Sequence, residues 1–205
     1  MVRKVLLVCG MLVPAMYIFL YVLGGALRPG YSHISDSVSE LLSPGAPNKP
    51  LLTTIQLIYA LLHVAFGTGV LQFIQASEHS ALVGKIGAWL IVAVGVATVG
   101  TAIFPQDATG TSATTPGQIH KILVFGALVP FSILSTLLVG IWLSRAPIYP
   151  GFATYSFVTV GAIVVMGGVG GATVETPFAG LVERVSAIAI HQWLFILALK
   201  MLLTE

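Results

Sequence analysis

Six apolar stretches, each about 20 residues long, match the length a helix needs to cross the hydrocarbon of a bilayer. They run 5–27, 51–74, 82–103, 120–143, 152–173 and 181–203. A soluble core helix does not need that length, and a soluble surface does not tolerate so few charges. The chain is 57% hydrophobic and 8% charged. Soluble domains carry about 25% charged residues. The runs predict an all-α fold: a polytopic transmembrane bundle of six helices, forming a single transmembrane domain over 1–205. Arg3 and Lys4 precede the first run as they would in a signal peptide. That run is longer than a signal h-region of about 7–15 residues, however, and no A-x-A-like site follows it, so it reads as a helix that stays.

An even number of spans puts both termini on one face. The loops at 28–50, 104–119 and 174–180 then share the other face, and the short connections 75–81 and 144–151 share the terminal one. Lys and Arg favour the terminal face slightly, through Arg3, Lys4, Lys85, Arg145 and Lys200. By the positive-inside rule this predicts cytoplasmic termini in the cell membrane. The acids are more lopsided. Asp36, Glu40, Asp107, Glu175 and Glu183 fall on the loop face, with only Glu78 and Glu205 opposite. Gly167 and Gly171 form a GxxxG pair in the span 152–173, a surface suited to close helix approach and to homo-oligomer formation. Pro14 and Pro130 are expected to kink their helices.

In the first long loop, Ile34, Val38, Leu41 and Leu42 recur at i, i+4, i+7 and i+8, on one face of a helix. Ser32 or Ser35 can cap its start, and Ser43-Pro-Gly-Ala-Pro stops it. The spacing predicts a short amphipathic helix over about 34–42, lying at the interface or folded over the bundle mouth. As an interfacial anchor it would simply solvate His33, Asp36 and Glu40; as a lid it would point Asp36 or Glu40 inward.

Polar groups inside a membrane are costly, so they tend to face the bundle interior and mark sites. Tyr17, Tyr21, Gly24 and Arg28 share one face of the first span. Gln56, Tyr59 and His63 share one face of the second. His120 opens the fourth span, and Arg184 and His191 stand seven residues apart in the sixth. Each has a plainer reading, as a satisfied core histidine or as a charge snorkelling from a span end. Their convergence nevertheless outlines a polar pocket on the loop face, with Arg28, Tyr59, His63, Arg184 and His191 as substrate-binding residues. Glu40, Asp107 and His120 are its acid–base candidates, since a carboxylate can orient an imidazole for general-base work. No HExxH or clustered histidine spacing is present, so no metal and no cofactor are expected. There is no G-x-S-x-G elbow, P-loop or dinucleotide fingerprint. A net charge of +2 with scattered basic residues gives no nucleic-acid footprint. The single cysteine, Cys9, cannot build a disulfide framework.

Several short motifs stand in a recognisable order. Ser-Asp-Ser-Val-Ser-Glu-Leu and Pro-Gly-Ala-Pro follow the first span, and Phe-Pro-Gln-Asp follows the third. A histidine opens the fourth, and Gly-Leu-Val-Glu-Arg-Val with Trp193 lies in the sixth. This order resembles the six-helix membrane family called domain of unknown function 998, over nearly the whole chain. The resemblance implies a compact six-helix bundle of no settled activity, with typical polar positions at Ser39, Glu40, Asp107, His120 and Arg184.

Two functions fit these residues. The first is a membrane-embedded enzyme acting on a lipid or isoprenoid-like small molecule, with membrane lipids as its partners. The second is a transporter or lipid-binding protein without chemistry, using His63 and His191 as a proton relay.

Overall fold

The computed structural model describes residues 1–146, 148–173 and 176–205. Glu175 and the surroundings of Gly171 fall outside these. Among the described residues, six helices are long and apolar enough to cross a membrane. They are α1 (Val2–Leu27), α2 (Lys49–Ala76), α3 (Leu82–Ile103), α4 (Thr115–Leu123) continued into α5 (Val129–Arg145), α6 (Phe152–Thr173) and α7 (Ala179–Leu203). One π turn, Val124–Leu128, joins α4 to α5. Pro130 sits directly after it, at the start of α5. Proline has no N–H to give and clashes with the carbonyl four residues back, and a wider turn relieves both faults.

The helices close a circuit. α1 packs on α2 and α7, α2 on α3, α3 on α5, α5 on α6, and α6 on α7. Lipid tails are as apolar as the helices, so close packing has to supply the association. Small residues provide it. A Cβ on Gly95 of α3 would lie 2.8 Å from the Ala60 carbonyl of α2, and one on Gly87 would lie 2.9 Å from Val139 of α5. The termini meet on one face, where Arg3 Nε stands 2.5 Å from Glu205 Oε1.

The core has two apolar parts. The larger, in the terminal half, gathers Leu7, Phe66, Val70, Ile74, Trp142, Trp193, Leu197 and Met201. The smaller lies under loop one, where Val38, Leu41 and Leu42 bury against Leu20, Leu52 and Ile55. Polar side chains lie between the two.

The helix expected over 34–42 reduces to one 3-10 turn, Ser39–Leu42. Val38, Leu41 and Leu42 of the predicted apolar face are buried and Ile34 is exposed, and other donors and acceptors have claimed the backbone. Asp36 Oδ2 accepts from Ser32 N at 2.9 Å. Ser32 Oγ accepts from Ile34 N and Ser35 N, both at 3.3 Å. Leu181 N takes the Ile34 carbonyl at 2.8 Å. Serine and aspartate side chains compete in this way with the helical ladder.

Candidate functional site

The polar side chains form three groups. The deepest lies midway along the helices. His191 Nδ1 is 2.6 Å from the Ala187 carbonyl, one turn back in α7. A carbonyl only accepts, so Nδ1 carries the hydrogen. In the neutral ring Nε2 is then an acceptor, and it takes the Tyr59 hydroxyl hydrogen at 3.0 Å. Tyr17 stacks on one face of His191, with ring centroids 4.5 Å apart and planes at 18°. His63 stands edge-on to Tyr59 at 4.7 Å. One turn towards the loop face from Tyr59, Gln56 Nε2 donates to Thr101 Oγ1 of α3 at 3.0 Å. Gln56 Oε1 and His63 Nδ1 are buried with no hydrogen-bond partner among the described residues. Two side chains that deep with unmet polar atoms are rare, because each unmet group costs about 1–3 kcal/mol.

The second group clamps loop one to α7. Arg184, 6% exposed, donates through Nη1 to the carbonyls of His33 at 2.9 Å, Asp36 at 3.0 Å and Gly180 at 2.7 Å. Its Nη2 donates to the Tyr31 hydroxyl at 2.5 Å. The guanidinium also covers the Tyr21 ring at 5.2 Å. Glu183 accepts from Val38 N at 2.9 Å. Burial pushes the Tyr31 phenol up to about 12, against the pull of Arg184. Burial, and then the Arg184 charge, hold the His33 imidazole below its usual range. Tyr21 leans edge-on against both His33 and Tyr17, so an unbroken run of rings leads from the clamp down to His191.

The third group ties loop one to the loop between α3 and α4. Glu40 is buried and accepts from Thr109 N and Thr109 Oγ1, both at 3.1 Å. Arg28 Nη2 lies 3.4 Å from its carboxylate. Asp107 accepts from Thr114 N at 2.9 Å and from Thr114 Oγ1 at 2.5 Å. Thr114 in turn caps α4 through Gly117 N. A side chain at Gly117 would collide with the Asp107 carboxylate and push it off Thr114. His120 belongs to the second turn of α4, because the helix begins at Thr115 rather than at the histidine. Its Nδ1 lies 2.9 Å from the Phe104 carbonyl, an otherwise orphaned group at the end of α3. Asp107 and His120 thus stand at one helix start, each bonded elsewhere.

The sequence pattern of one protein family, described as protein of unknown function (DUF998), matches residues 11–200. The chain belongs to the DUF998 family. No curated protein and no solved structure matches it. In this DUF998 protein, the polar positions implied by the resemblance are distributed over the clamp and the loop tie. Arg184 is the clamp, and Glu40, Asp107 and His120 make the tie. The deep group, Tyr17, Gln56, Tyr59, His63 and His191, was legible as helical stripes. Gln192 of α7 was not singled out. It stands next to His191 and donates to the Ala189 carbonyl at 3.0 Å. Its depth in the span was the signal that could have found it.

Asp107 carries a pH prediction. Hydrogen bonds from Thr114 lower its pKa in the folded chain. A depressed carboxyl adds stability that is present above its unfolded value and is lost as pH falls through the folded one. An acid titration of unfolding midpoint should therefore show a steeper fall below the usual carboxylate range in wild type than in Asp107→Asn. Equal acid limbs would contradict this.

Proposed function

We propose that this DUF998 member is a membrane-embedded acid–base protein acting on an amphiphilic, lipid- or isoprenoid-like molecule, with its termini in the cytoplasm. The working pair is Tyr59 and His191, with His63 beside them. The hydrogen bond from the Tyr59 hydroxyl to His191 Nε2 in mid-span carries the reading. A phenol bonded to an imidazole of fixed tautomer can give a proton to a substrate and recover one through the same contact. Hydrolysis, isomerisation and proton-initiated cyclisation all use such a transfer. A molecule that reaches this depth needs an apolar body. Arg28 and Arg184 stand at the loop face, where an anionic head group would lie. Glu40, Asp107 and His120 enter the reading as the groups that shape that mouth.

Lipid extracts of expressing cells test it. One species should fall and another rise with the wild-type protein. Tyr59→Phe and His191→Gln should each lower that conversion by about 10²-fold or more. An unchanged conversion in both variants would remove the pair from the chemistry.

The transporter reading draws on the same two histidines. Against it, both stripes end at mid-span. α2 continues from His63 as Phe66, Val70 and Ile74, and α7 continues from His191 as Leu194, Leu197 and Met201, all buried and apolar. A relay needs polar steps across that half. Proton flux into liposomes that depends on His63 would favour the transporter.

A further inference from the structure

On the terminal face, α6 begins beside the end of α7. The chain enters α6 through Tyr149-Pro-Gly-Phe152, where the Phe152 N–H returns to the Tyr149 carbonyl at 3.1 Å. Pro150 leads and Gly151 follows at φ +77°, the residues a type II turn requires. Neither has a side chain that can cap the helix. The Tyr155 N–H reaches the Gly151 carbonyl at 3.1 Å, but the Ala153 and Thr154 N–H groups meet no acceptor among the described residues. Such orphan groups carry the positive end of a helix.

A cleft of about 340 Å³ opens at this corner, lined by Pro150, Gly151, Phe152, Tyr155, Ile196 and Lys200. Lys200 stands in the last turn of α7. Its ammonium lies 5.8 Å from the centroids of both the Tyr149 and the Phe152 rings, so it leans over the start of α6. It has no carboxylate partner among the described residues. Glu205, five residues on, pairs with Arg3 instead. The Tyr155 hydroxyl is also buried without a partner. Unused donors and a free cation thus gather round one cleft, and no anion of the chain answers them.

We propose that this cleft binds an anionic phospholipid of the leaflet on the terminal face, with its phosphate on Lys200 and the start of α6 and its upper chain against Ile196. The ligand is an anion because the cleft offers an ammonium and the positive end of a helix, the pair that suits a phosphate. It is a lipid because the cleft lies at the ends of two spans and its other walls are largely apolar. The same face carries Arg3, Lys4, Lys85, Arg145 and Lys200 against Glu78 and Glu205, a field that draws anionic lipids. The cleft lies at the opposite end of the bundle from loop one, so it needs nothing from the acid–base reading.

Native mass spectrometry of protein released from bilayers of equal phosphatidylcholine and phosphatidylglycerol tests it. Wild type should retain one phosphatidylglycerol about fivefold over phosphatidylcholine, the worth of one basic residue at such a surface. Lys200→Gln should bring the two lipids level, and Lys200→Arg should keep the preference. Lys85→Gln and Arg145→Gln remove cations from the same face away from the cleft and should change little. Melting of Lys200→Gln in phosphatidylcholine alone should match wild type, which separates lost binding from a lost fold. A photoactivatable phosphatidylglycerol should cross-link to residues 150–155 and 196–200. Undiminished retention in Lys200→Gln, or an equal drop in all three glutamine variants, would overturn the proposal. Cross-links elsewhere, or displacement of the lipid by millimolar inorganic phosphate, would overturn it too.

Discussion

Arg184→Ala should lower the stability of the bundle by about 3–5 kcal/mol, the largest loss of any single substitution outside the apolar core. The guanidinium holds loop one from inside. It donates to the carbonyls of His33 and Asp36 and to the Tyr31 hydroxyl, and it anchors itself on the Gly180 carbonyl. Alanine leaves those acceptors buried without a donor and removes the cation from over the Tyr21 and Tyr31 rings. Lysine restores the charge but not the planar fork, so Arg184→Lys should recover less than half of the loss. Thermal unfolding in detergent reads the stability, and limited proteolysis between Tyr31 and Ser43 reads the release of the loop. Wild-type melting of Arg184→Ala, with loop one still resistant, would contradict the clamp.

Glu40→Ala comes second, at about 2–4 kcal/mol. Glu40 is 5% exposed, and its carboxylate joins loop one to two other segments: the loop after α3, through Thr109 and Gln106, and the end of α1, through Arg28. The loss is moderated because the Arg28 side chain is 25% exposed and can turn to water. Glu40→Gln keeps one acceptor oxygen and should fall between the two. The same pair of variants separates a strut from a catalyst. If Glu40 braces the loops, activity per folded molecule survives in Glu40→Gln while the melting point drops. If it moves a proton, activity disappears at unchanged stability.

The helices were readable because the bilayer demands long apolar runs, and the polar stripes because it penalises lone polar groups. The stripe Gln56, Tyr59, His63 needed only the helical period to be seen. Its partnership with His191 and Tyr17 depends on how α1, α2 and α7 turn towards one another, which no period encodes. The loop-one helix was over-extended for a local reason. Ser32, Asp36 and Ser37 bond nearby backbone N–H groups, and α7 takes the carbonyls that a helix would have used. Asp107 and His120 flank one loop in the sequence, which suggests a pair. The fold gives each a nearer partner, Thr114 and the Phe104 carbonyl.

Nitrogen-15 solid-state NMR of histidine-labelled protein in bilayers tests the central claim, that Tyr59 and His191 form a proton-handling pair in mid-span. Five histidines contribute signals, and His191→Gln identifies the one that matters. At neutral pH His191 should show a protonated Nδ1 and a bare, hydrogen-bonded Nε2, with the Nε2 signal moving in Tyr59→Phe. A proton on Nε2, or a His191 spectrum that Tyr59→Phe leaves untouched, would contradict it.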